Sequence, residues 1–175
     1  MRDKKIRQSL FRATIKEDGL ESLAEEMDEV ASEKIRTLFT RHFIGMKKSF
    51  EYAWEAFAKV DKKIDGDSYE NLPSVLSEMN ISEEETLFLM SDAWRDKICL
   101  TTQKKHLLKL IEDAWYPSDD LYIFGEHAQW CLALTHHDFM IIAHSITESP
   151  RTVRKKMKRA EHEAFAVHDP ETTYD

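Results

Sequence analysis

The sequence predicts an α+β fold. It is read as one predominantly helical domain, residues 1–166, carrying a three-stranded antiparallel β-meander at about 120–146, in the C-terminal third, with a flexible tail over 167–175. Three observations predict this. The runs LYIFG, WCLALT and FMIIAH are rich in β-branched and aromatic residues, too short for ordinary helices, and separated by polar breaks. Most of the remaining chain repeats apolar residues at helical spacing. Only 4 Gly and 4 Pro occur in 175 residues, which leaves little material for loops. A chain of this length can bury one substantial core.

Taken in order, Ile6, Leu10, Phe11 and Ile15 predict a short amphipathic helix over Lys4 to Lys16, stopped at Gly19. From Leu20 to Val60 helical spacing barely breaks. Its last seven members, Phe39, Phe43, Met46, Phe50, Ala53, Phe57 and Val60, step by four and three. Such a stripe cannot stay exposed, so it is expected either inside the domain or as the seam of a homodimer. The polar stretch 61–72, with its Asp-Gly, reads as a connection, and Pro73 as the opening of a short helix. Ser82 and Glu85 form a capping-box pattern for a further helix, SEEETLFLMSDAW. Thr101 or Thr102 is expected to cap the helix Gln103 to Trp115. In the meander, Trp130, Leu132 and Leu134 share one face and Cys131, Ala133 and Thr135 the other. Both faces are mostly apolar and are expected to be largely covered, one of them by helices. Ser149 and Pro150 then start a last helix running to about Ala166.

Motifs for chemistry are thin. FAKVDKKIDGDSYENLPSVL resembles an EF-hand, with Asp61, Asp65, Gly66 and Asp67 at loop positions one, five, six and seven. It departs from that pattern where calcium is held. Lys63 stands at the third position, one residue is missing before Ser68, and Asn71 or Leu72 stands where the closing glutamate belongs, so a polar turn is expected. His127, Cys131, His136, His137, Asp138 and His144 concentrate metal-capable side chains around the meander. However, the two turns lie roughly 20 Å apart along a six-residue strand, and no ligand-collecting motif is present. His127, Cys131 and His144 are the set a metal-dependent enzyme would have to use. No nucleophile elbow or glycine-rich phosphate loop occurs, and Cys131 in an apolar strand is expected to be inert. Asp119 and Asp120 read as the polar turn before the first strand. No catalytic residue and no cofactor is assigned.

Charge is the informative feature. Net charge is −8, yet Glu17 to Glu33 holds eight acids and no base, whereas Arg151 to Arg159 holds six bases and no acid. The N-terminus lacks the apolar run of a signal peptide or membrane anchor, and two cysteines do not make a disulfide framework, so a cytoplasmic setting is expected. The leading expectation is a non-catalytic protein-binding module. It would resemble a toxin-neutralising immunity or antitoxin protein in manner, docking a partner through Glu21, Glu25, Glu26, Asp28 and Glu29, with Arg154, Lys155 and Lys158 as a second contact. The alternatives are nucleic-acid binding through Lys4, Lys5, Arg7, Arg12 and the basic last helix, and the metal enzyme above.

Overall fold

The computed structural model describes residues 9–45, 51–91, 96–115 and 120–147. Their elements are α1 (Leu10–Glu17), β1 (Glu25–Glu26), α2 (Glu29–Phe43), a 3-10 turn (Ala53–Ala56), β2 (Val60–Asp65), α3 (Ser68–Glu78), β3 (Thr86–Ser91), β4 (Leu100–Gln103), α4 (Lys104–Ala114), β5 (Leu121–Gly125), β6 (Trp130–Leu134) and β7 (Phe139–His144). The seven strands form one sheet in the order β1-β4-β3-β5-β6-β7-β2. Every neighbouring pair is antiparallel. The expectation of a predominantly helical domain with a three-stranded meander is therefore overturned. The meander is present as β5-β6-β7, but it is part of a larger sheet, with three strands beyond β5 and one beyond β7.

Strand alternation divides the core in two. Leu87, Leu89, Leu121, Ile123, Leu132, Leu134, Met140 and Ile142 pack under α1, α3 and α4 on one face. Met90, Tyr122, Phe124, Cys131, Ala133, Ile141 and Ala143 pack under α2 on the other. Both faces of the meander are thus covered, which explains why its strands show no polar alternation. Trp130 departs from expectation. It sits at the start of β6, beside the terminal His144 of β7, and is only half-buried.

Local signals account for the helix ends. Ser9 caps α1, its hydroxyl accepting from the Arg12 amide at 3.2 Å. At the other end Gly19 adopts φ +68°, and the Leu20 amide donates back to the Ile15 carbonyl at 2.9 Å, which closes the helix as a Schellman turn. Asp28 caps α2 by accepting from the Ala31 amide at 2.7 Å. The buried side of α2 is Ser32, Ile35, Phe39 and Phe43, with the Phe39 ring 5.3 Å from that of Tyr122.

Among the described residues the expected seam is interrupted. After Phe43 the chain leaves the helix: Ile44 bridges Phe57, and the Gly45 amide donates to the Ala56 carbonyl at 2.8 Å. A Cβ on Gly45 would stand 3.1 Å from that of Ala58, so the close pairing of these backbones suits glycine. Phe39 and Phe43 are buried within this one chain, while Val60 is exposed. Met46 and Phe50 lie outside the described residues, as does the predicted helix from Ser149 to Ala166.

Three further segments differ from expectation. Part of the expected connection 61–72 is the edge strand β2. Its side chains are exposed except for half-buried Ile64, so it carries no hydrophobic alternation. Helix α3 begins at Ser68, before Pro73, because the Asp67 side chain caps it by accepting from the Tyr69 and Glu70 amides. Ser82 and Glu85 form a tight turn rather than a capping box, the Glu85 amide donating to the Ser82 carbonyl at 3.0 Å. TLFLMS then runs as β3. Thr101 and Thr102 are strand residues of β4, and α4 starts without a side-chain cap at Gln103. No helix among the described residues is long and apolar enough to cross a membrane.

Candidate functional site

The acidic stretch runs from the end of α1, through β1, into the first turn of α2. Glu21, Glu25, Glu26, Asp28 and Glu29 are all exposed there. Each has a different freedom. Glu26 accepts from both Nε and Nη2 of Arg12, at 3.1 and 3.0 Å, and pairs with Lys16 at 3.0 Å. Asp28 is spent as the cap of α2. Among the described residues Glu21, Glu25 and Glu29 have no cationic partner. The nearby lysines of α4 are engaged elsewhere, Lys104 with Glu83 and Lys105 with Glu84. These five acids of the run therefore separate into two that hold the fold, Glu26 and Asp28, and three that face solvent, Glu21, Glu25 and Glu29.

Strand β1 is only two residues long and pairs with β4 through Glu25 to Thr101 and Glu26 to Leu100. Where that pairing stops, a groove of about 360 Å³ opens between the 21–25 segment and the β4-α4 junction, lined by Glu21, Glu25, Thr101, Thr102, Gln103 and His106 among others. Thr102 stabilises its floor by donating its hydroxyl to the Leu23 carbonyl at 2.6 Å. These residues come from distant parts of the chain, so the sequence could show the carboxylates but not the groove. Arg154, Lys155 and Lys158 lie outside the described residues.

A second constellation sits at the opposite end of the central strands and was missed as a unit. Asp120, just before β5, is 2 % exposed. Its Oδ1 accepts from the His136 amide at 3.0 Å and from His136 Nδ1 at 2.7 Å, and its Oδ2 accepts from Trp54 Nε1 at 3.0 Å. The rings of Tyr52, Trp54, His136, His137 and Phe139 pack around it: Tyr52 meets His136 and His137 edge to face, Trp54 meets Phe139 the same way, Tyr52 and Trp54 stack, and the His136 and His137 centroids are 3.8 Å apart. The Lys63 ammonium lies 4.0 Å from the centre of the Phe139 ring. A carboxylate on Nδ1 orients an imidazole and leaves Nε2 outward, as in acid–base and metal-binding histidines. Among the described residues, however, no hydroxyl or thiol is bonded to that Nε2. Its structural consequence is clear: Asp120 fastens the 3-10 turn segment to the sheet. The meander register, which places Leu121 opposite Leu134, was the signal that could have joined Asp120 to His136.

The residues of the metal alternative do not meet. Cys131 faces the α2 side of the sheet, fully buried, and burial pushes its thiol well above the ordinary range. His144 follows Ala143 on the opposite parity, and its Nε2 lies 3.5 Å from Asp61 at the exposed edge. His127 is exposed in the β5-β6 turn. Among the described residues no three His, Cys, Asp or Glu side chains converge as a metal site. The EF-hand-like segment is a strand, turn and helix rather than two helices. Asp67 is spent on capping α3, and Lys63 pairs with Asp65 at 3.3 Å. Arg12, a proposed phosphate contact, is buried and bound to carboxylates.

The chain belongs to a family of unknown function (DUF6756), whose family model matches residues 1–155. No curated protein matches it.

Proposed function

We propose that this family member is a non-catalytic binding module that docks a basic protein on the acidic surface between α1 and α2, and so sequesters or neutralises it. The supporting observation is the set of exposed carboxylates Glu21, Glu25 and Glu29, which have no cationic partner among the described residues, in a chain of net charge −8. Like-signed groups left unpaired gain little for the fold. Against a basic partner they steer association and fix register. The two buried, unbridged cysteines suit a reducing cytoplasmic setting.

The test is affinity capture from native lysate with mass-spectrometric identification, comparing the wild type with Glu21→Lys/Glu25→Lys/Glu29→Lys. This triple change spares Glu26 and Asp28, so the melting temperature should hold while a basic partner is lost. Recovery of the same proteins by both baits, with the same salt dependence, would dispose of the acidic docking surface.

A further inference from the structure

We propose that the sheet edge at β2 pairs with β2 of a second copy of this chain, antiparallel about Ile64, so that one sheet runs on through a two-fold axis. Strand β2 stands last in the strand order, and among the described residues only β7 pairs with it. Its ladder with β7 is regular from Lys62 to Asp65, beyond a register shift between Val60 and Lys62. The Gly66 amide donates to the Asp138 carbonyl at 2.8 Å, which continues that register by one residue and makes the rung a hydrogen-bonded one. Bonded and non-bonded rungs alternate along an antiparallel ladder. Ile64 and Lys62 therefore turn their main-chain groups towards β7, while Lys63 and Asp65 turn theirs to the open side.

A two-fold axis perpendicular to the sheet keeps its two sides distinct, so each β2 residue meets one of equal parity. Centred on Ile64, Lys63 stands opposite Asp65 of the second copy, and Asp65 opposite its Lys63. These are the two residues whose main-chain groups face outward, so each rung joins two backbone hydrogen bonds to one ion pair. Both side chains are exposed and lie on the α2 side, across from Ile141 and Phe139. Half-buried Ile64 lies on the other side and meets its own copy there, and Lys62 meets Gly66, which offers no side chain against it. No neighbouring register does as well. Centring on Lys63 sets Asp61 against Asp65 and Lys63 against itself, and centring on Lys62 puts the irregular stretch inside the contact. Lysines on an edge strand ordinarily keep other strands away. Here Lys63 excludes strands without an acid at that rung and admits its own copy. Strand β1 is at the opposite edge of the sheet, so the contact leaves the acidic surface free.

Sedimentation velocity of the full chain over a concentration series, at low and high salt, reads the association. The wild type should form a dimer that grows with concentration and weakens with salt, as exposed ion pairs do. Lys63→Asp and Asp65→Lys each set like charges at both rungs, and each should weaken the dimer about tenfold. Mixed in equal amounts, the two variants should recover it as a heterodimer, because every rung then pairs one acid with one base. Amide exchange on the wild type needs no variant to fold, and the amides of Lys63 and Asp65 should exchange more slowly as concentration rises. A wild type that stays monomeric at every concentration would overturn the proposal. So would a dimer that Lys63→Asp leaves unchanged, a mixture no more associated than its components, or a dimer in which those two amides exchange as fast as in the monomer.

Discussion

Arg12 and Asp96, 84 residues apart in sequence, meet as a buried ion pair at 2.6 Å. Asp96 also accepts from the Ser9 amide at 2.9 Å and the Ile98 amide at 3.1 Å, and the guanidinium of Arg12 spans from Asp96 to Glu26. One side chain thus fastens the first helix to the segment entering β4 and to β1. Arg12→Met leaves the buried Asp96 carboxylate with its two amide donors but without its counter-ion, and should cost about 3–5 kcal/mol. Arg12→Met/Asp96→Asn should recover part of that loss. Denaturant titration checks it, and a single-variant loss under ~1 kcal/mol would show that the pair is not holding α1 in place.

Gly19 ends α1 in the left-handed region, at φ +68°, with open space where a Cβ would stand. Strain of the backbone, and not a clash, therefore decides the outcome of substitution. Gly19→Ala should destabilise by about 1 kcal/mol and Gly19→Asn by less, since asparagine tolerates this conformation better. A thermal melt in which alanine equals glycine would contradict the observed helix stop.

Phe39 and Val60 belong to one four-three repeat in the sequence but to different environments in the fold. Phe39 is 1 % exposed and Val60 49 % exposed. Phe39→Ala should therefore cost about 3–5 kcal/mol, by loss of ring burial and the cavity left behind. Val60→Asp, on an edge strand facing solvent, should change stability by about 0.5 kcal/mol or less. Similar large losses at both positions would reinstate a continuous seam.

Cys99 is pushed up from 9.0 to about 12, chiefly by burial, and Cys131 is raised in the same direction by the same cause. The folded chain therefore keeps both thiols protonated where the unfolded chain has begun to lose those protons. The stability they contribute is complete below pH 9 and is lost as pH rises from 9 towards 12. The slope of unfolding free energy against pH in that window should be shallower in Cys99→Ala/Cys131→Ala than in the wild type. Parallel slopes would mean that the thiols are already ionisable in the native state.

What the sequence determined by itself is local. The stop at Gly19 follows from backbone conformation, and the apolar face of α4 from helical period, read as Leu107, Leu108, Leu110 and Ile111, of which the fold leaves Leu108 exposed. The strands β5, β6 and β7 follow from composition, and the acidic run from a simple count. Only the tertiary structure decided the rest, because pairing partners far along the chain overrode local preference. β3 is apolar at successive positions and reads equally well as helix until β4 and β5 flank it. β2 is polar because it is an edge, and its strand conformation comes from its pairing with β7. The same holds for the candidate sites. Glu21 and Glu25 become part of a groove only when β4 lies beside them, and Asp120 finds His136 only through the register of β5 with β6. A strand's partners, unlike a helix's, are not written into its own neighbourhood.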